Sequence, residues 1–116
     1  MTPLDEMTSS KVYLLNSPVL TGYGCYEFNG PLSVSSARHE LAGGFFSAVG
    51  HETTALFLSM LLNQYCPHQR QAITMVPGDR AVVFTIKQRL AEGSHLDMSE
   101  ISNLKYSLDL LICHAV

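Results

Sequence analysis

Apolar and polar positions along this chain fall into short blocks whose period switches between two and about three and a half. Residues 11–15 are β-rich and enter a turn-prone Asn16-Ser17-Pro18. Residues 23–28 form a second strand candidate, closed by Asn29-Gly30-Pro31. Ser33 is placed to cap a helix over residues 34–41, which stops at Gly43-Gly44. Residues 45–49 then read as a short buried strand. A second helix follows over residues 53–63. It carries Leu56, Leu58, Met60, Leu61 and Leu62 around much of its circumference, so it should pack on two sides, one against a sheet and one against a second subunit. Residues 70–76 and 80–87 flank Pro77-Gly78-Asp79, which signals a hairpin. Residues 96–101 hold a capping pattern for a short helix with Ser99 as its cap, and residues 108–113 form a last strand. The expectation is a single compact α/β domain over residues 11–116, with a mixed, mostly antiparallel sheet flanked by helices. Residues 1–10 read as a disordered polar N-terminal tail.

Composition narrows the function classes. A chain of 116 residues has room for one core, and 47% hydrophobic with 15% charged residues describes a folded domain. The longest apolar stretch, residues 55–62, is too short to span a bilayer, and the first ten residues lack a signal peptide's basic start and apolar run. A cytoplasmic location follows as an expectation. Cys25, Cys66 and Cys113 are odd in number and show no Cys-x-x-Cys spacing, which fits reduced, partly buried thiols. A net charge of −3 with seven Lys and Arg cannot supply the broad basic face that long nucleic acid requires. Any anionic ligand must be small and met by a few placed arginines.

The segment Ala48-Val49-Gly50-His51-Glu52-Thr53-Thr54-Ala55 carries the most chemistry. An apolar run ends at a glycine, a histidine follows, and a helix opens. That order sets an imidazole beside a helix N-terminus, where free N–H groups and the helix dipole favour phosphate. The plain alternative is that His51 only caps the helix. His51-Glu52 begins like a zinc-protease helix, but Ala55 stands where a second histidine ligand would be. Thr53 and Thr54 suit a helix start and would also contact phosphate, as would the backbone at Gly50. Gln88-Arg89-Leu90-Ala91-Glu92-Gly93 follows the strand candidate at 80–87. Arg89 and Glu92, three apart, form either a solvated ion pair or a phosphate contact with the carboxylate that holds it. Arg70 begins a strand candidate, and Asn16-Ser17 ends one; each is turn or end chemistry, or a set of polar contacts to a ligand above the sheet. His39, His68, His95 and His114 read as exposed residues outside the site.

Taken in order, Val12-Tyr13-Leu14-Leu15-Asn16, Ala48-Val49-Gly50-His51-Glu52-Thr53-Thr54, Arg70, and Gln88-Arg89-Leu90-Ala91-Glu92-Gly93 resemble the type III anti-CRISPR ring nucleases of viruses and their bacterial relatives. The resemblance runs over about residues 11–112, with residues 106–111 matching the closing strand. Asn16-Ser17-Pro18 and Pro77-Gly78-Asp79 look like the bacterial or phage branch. The resemblance implies a homodimer that encloses cyclic tetra-adenylate, the second messenger of type III CRISPR defence, and cuts it without metal or other cofactor, switching that signalling off. It implies that His51 is the catalytic acid, that Arg89 and Glu92 belong to the active site, and that Arg70 contacts the ligand. Asn16, Ser17, Gly50, Thr53, Thr54 and Gln88 are the further candidate ligand contacts. A second reading keeps the phosphate contacts but makes the dimer a non-catalytic sequestering protein, with His51 as a charged ligand contact. No membrane or long nucleic acid is expected as a partner.

Overall fold

The Ser33 hydroxyl accepts a hydrogen bond from Ser36 N–H at 3.0 Å, and helix α1 (Val34–Leu41) starts directly after it. A side-chain oxygen satisfying a first-turn donor is what local sequence predicts well, and α1 has the expected bounds. The computed structural model describes residues 11–18, 22–86 and 105–115. Besides α1 they form β1 (Val12–Leu15), β2 (Cys25–Asn29), β3 (Phe46–Ala48), α2 (Glu52–Leu62), β4 (Arg80–Ile86) and β5 (Tyr106–His114). The expected tail at 1–10, the short helix at 96–101 and the segment bearing Gln88, Arg89 and Glu92 lie outside the described residues.

The five strands make one mixed sheet in the order β2-β5-β4-β1-β3. β1 runs parallel to both β3 and β4, while β5 is antiparallel to both β4 and β2. The longer ladders are the antiparallel ones. The period-two pattern of the strands divides the core between the two faces of this sheet. Leu14, Val82, Phe84 and Leu108 pack with Ala37 and Leu41 of α1 and with Ala55, Phe57, Leu58 and Leu62 of α2. Their alternates, Tyr13, Leu15, Ala81, Val83, Leu111 and Cys113, form a second cluster with Met75. One face is therefore covered by both helices, and the other by an extended loop. Each fully buried leucine contributes about 2 kcal/mol of transfer free energy, so the helical face, with Leu14, Leu41, Leu58 and Leu62 fully buried, is the heavier half of the core.

Helix α2 ends at Asn63, which takes the left-handed conformation (φ 53°) and donates its N–H to the Ser59 carbonyl. Asparagine tolerates that conformation better than most residues, so the stop is encoded locally. The helix is apolar on more than its core side: Leu56 is 52% and Met60 72% exposed, one turn apart.

The expected hairpin around Pro77-Gly78-Asp79 is not formed. The turn itself is present, with Asp79 N–H donating to Val76 O at 2.9 Å and Gly78 at φ 100°, as a proline–glycine turn requires. Residues 70–76, however, are not a strand. Both flanks of β4 are already taken, by β1 and by β5, so the preceding segment has no ladder to join. Its alternation is real but serves another purpose, sending Ile73 and Met75 down onto the loop-covered face. The buried Asp79 carboxylate ties the turn to the sheet by accepting from Lys11 N–H and Val76 N–H at 3.0 and 2.9 Å. Arg80 then meets Glu40 of α1 in a bidentate pair at 2.9 and 3.0 Å.

The three cysteines are free. Cys66 and Cys113 are buried and Cys25 is exposed. Burial pushes the Cys66 thiol above its ordinary pKa, which disfavours the reactive thiolate. No helix among the described residues is long and apolar enough to cross a membrane.

Candidate functional site

The three mutually parallel strands end at the same edge of the sheet, and the sequence places its polar residues there. β1 gives way to Asn16, β3 runs through Val49 and Gly50 into His51, and β4 ends at Thr85 and Ile86. Open α/β sheets gather ligands at the carboxyl ends of their parallel strands because the loops diverge there. Here Asn16, His51, Thr54, Phe84, Thr85 and Ile86 line a cavity of about 270 Å³. A smaller one of about 110 Å³ adjoins it, sharing Asn16 and adding Ser17, Ala48 and residues 71–73.

His51 occupies the N-cap position of α2, yet its ring makes no capping hydrogen bond. Its backbone is held instead, since Ala55 N–H donates to His51 O at 3.0 Å as the first bond of the helix. The imidazole is exposed and stands at the cavity wall. The first-turn N–H groups of an α-helix lack intrahelical acceptors and carry the positive end of its dipole. Thr54 is buried in this turn and lines the cavity; Thr53 is half-buried beside it.

Arg70 reaches the site from a segment that carries no strand. Its aliphatic stem lies against Gly50, so that a methyl group at Gly50 would meet Arg70 Cγ at 3.5 Å. The structure thus brings Asn16, His51 and Thr54 to one cavity, with Ser17 in the adjoining one and the Arg70 stem packed on Gly50, the residue before His51. Gln88, Arg89 and Glu92 follow in the chain just after Ile86 but lie outside the described residues.

Two features went unread in the sequence. Phe84, Thr85 and Ile86 line the same cavity as His51, although as the end of a strand entering the Gln88-Arg89 motif they were a natural place to look. The other is His68, expected to stand apart from the site. It is exposed, but its Nε2 lies 3.2 Å from the Gly50 carbonyl, and Val49 and His68 form a parallel bridge. Ser47, a polar residue in an apolar strand, was the available signal that something polar runs beside β3; its hydroxyl donates to Pro67 O at 2.7 Å. His114 pairs with Glu27 at 2.9 Å on β2, away from the cavity. Among the described residues no group of three or more His, Cys, Asp or Glu side chains is placed to hold a metal ion.

A five-stranded mixed sheet with two helices on one face and a polar cleft at its parallel edge defines a small single-domain α/β protein. Residues 12–108 match the STIV B116-like family, and the chain belongs to it. Over 52 residues it is 42% identical to the ORF117 protein of Acidianus two-tailed virus, a match covering 45% of this chain and 44% of that protein. Over 102 residues it is 30% identical to protein 26 of Sulfolobus islandicus filamentous virus (isolate Iceland/Hveragerdi), covering 84% and 86%. The fold matches that of B116 from Sulfolobus turreted icosahedral virus with a TM-score of 0.68 at 24% identity, covering 89% of this chain and 99% of that one.

Proposed function

We propose that this protein is a metal-independent ring nuclease that cleaves cyclic tetra-adenylate and thereby ends type III CRISPR signalling. The observation that carries this reading is His51: it sits at a helix N-cap, its ring does not cap, and it faces a polar cleft beside an arginine. An imidazole committed to capping would be explained by the helix alone. This one is left for a ligand.

RNA brings its own nucleophile. The ribose 2′-hydroxyl attacks the adjacent phosphorus and gives up its proton to water, the P–O5′ bond breaks, and the departing O5′ takes a proton from the protein. The products are linear adenylates ending in a 2′,3′-cyclic phosphate with a free 5′-hydroxyl. The protein must align O2′, phosphorus and O5′, stabilise the phosphorane charge and supply the proton. His51 supplies the proton, since an imidazole is the side chain that both holds and releases one near neutral pH. The N–H groups opening α2, with Arg70 and Arg89, meet the negative charge. Asn16, Ser17, Thr53, Thr54, Gly50 and Gln88 contact riboses and phosphates, and Glu92 orients Arg89 or a ribose hydroxyl.

No step in this scheme uses a metal. Cleavage should proceed at an undiminished rate in excess EDTA, giving the cyclic-phosphate product from the four-membered ring when rings of three, four and six adenylates are compared. Activity lost on chelation and restored by magnesium or manganese would rule the scheme out.

The active unit is a homodimer with the ligand across its twofold axis. A ring of four identical nucleotides shares that symmetry, and Arg70 with Arg89 from two subunits provides four cations for four phosphates. The exposed Leu56 and Met60 side of α2 supplies an apolar face for the partner. Met60→Lys should therefore shift the protein toward monomer in sedimentation velocity and lower its activity at the same subunit concentration. A wild type that is fully active as a monomer would refute the dimer.

A further inference from the structure

The loop that carries His51 is held from outside the sheet by a short strap, residues 67–71. Ser47 Oγ donates to Pro67 O at 2.7 Å, Gln69 N–H to Val49 O at 2.9 Å, and Gln71 Nε2 to Ser47 O at 2.6 Å. The strap thus follows β3 along its open edge from Ser47 to Gly50. Its last hold on that loop is a side chain, His68, whose Nε2 lies 3.2 Å from Gly50 O. A carbonyl can only accept, so the His68 ring must carry its proton on Nε2 for this contact to bind.

Gly50 O belongs to the same rigid peptide plane as the N–H of His51. In a trans peptide the two point in opposite directions. Drawing Gly50 O toward the strap therefore sends the His51 N–H away from it and fixes the plane from which the His51 side chain departs. Glycine at position 50 makes this restraint matter, because its backbone has more freedom to lose than that of any other residue. On the far side of His51 the helix supplies the second hold, Ala55 N–H to His51 O. His51 is clamped at both of its peptide bonds while its ring makes no capping bond.

We propose that His68 is a positioning residue for His51, acting through the Gly50–His51 peptide, and that residues 67–71 deliver it together with Arg70 as one unit. The proposal rests on the reading of His51 as the proton donor. His68 touches neither the ring nor the reacting atoms. Its effect should fall on the rate of the chemical step, because a proton donor displaced by a fraction of an ångström still leaves the phosphate contacts in place.

His68→Ala and His68→Gln test this, since a glutamine amide can offer an N–H at nearly the reach of Nε2. His68 is exposed, so neither change should impair folding. His68→Ala should lower kcat on cyclic tetra-adenylate about tenfold, with KM changed by less than about threefold and Tm unmoved. In ¹H–¹⁵N spectra the amides of His51 and Glu52 should shift in His68→Ala and return in His68→Gln, along with kcat. Wild-type kcat in His68→Ala, a His51 amide that stays in place, or failure of glutamine to restore either would overturn the proposal. If the wild-type protein does not cut the ring at all, the nuclease reading fails, while the amide shifts still decide whether His68 sets the His51 peptide.

Discussion

His51→Ala should cleave cyclic tetra-adenylate slower than the wild type by on the order of 10²–10⁴, the range for loss of a positioned general acid. Affinity for the ring should change far less, because the N–H groups of α2 and the arginines remain. The expected split separates the two readings of the cleft. A sequestering protein would lose affinity on removal of a charged contact and would have no rate to lose. A helix cap would lose stability, typically about 1 kcal/mol, and nothing else. The missing capping bond already makes that last outcome the least expected. Single-turnover cleavage, equilibrium binding and a thermal melt on the same two proteins are sufficient. A mutant that keeps more than about a third of the wild-type rate would show that no proton passes through His51.

A ring in which every ribose is 2′-deoxy should bind and not be cut. Removing the internal nucleophile leaves the phosphates and adenines for recognition but takes away the atom that forms the new bond. The expected loss is complete within detection. Cleavage of the deoxy ring would mean that water attacks, and the product would then carry an open phosphate and not a 2′,3′-cyclic one. The identity of the product end thus reports the nucleophile independently of any mutation.

What the sequence revealed depended on how local the determining physics is. Ser33 and Asn63 bound their helices through contacts within four residues, so both helices were readable to within a residue. The ends of β1 and β3 were readable because apolar runs stop at Asn16 and Gly50. The arrangement of β4 was not. Pro77-Gly78-Asp79 signals a turn correctly, but whether its arms pair is decided by which strands already flank β4, and these come from residues 12–15 and 106–114. The same non-locality hid His68. Nothing near it in sequence needs a donor; the carbonyl it meets lies eighteen residues earlier. His51, by contrast, could be picked out because a strand end, a glycine and a helix start adjoin it in the chain itself.

The position of β5 between β2 and β4 bears on how this chain is made. β2 leaves the ribosome well ahead of the strand it pairs with, since the register runs from Asn29↔Leu110, 81 residues apart, to Cys25↔His114, 89 apart. During synthesis β2 has no neighbour, and the parallel half, β3-β1-β4, is the only part of the sheet that can assemble. Contacts so distant along the chain slow folding, because a long loop must close before any pairing rewards it. The edge that carries the candidate site is thus built by the half that can form early, while closure of the full sheet waits for β5.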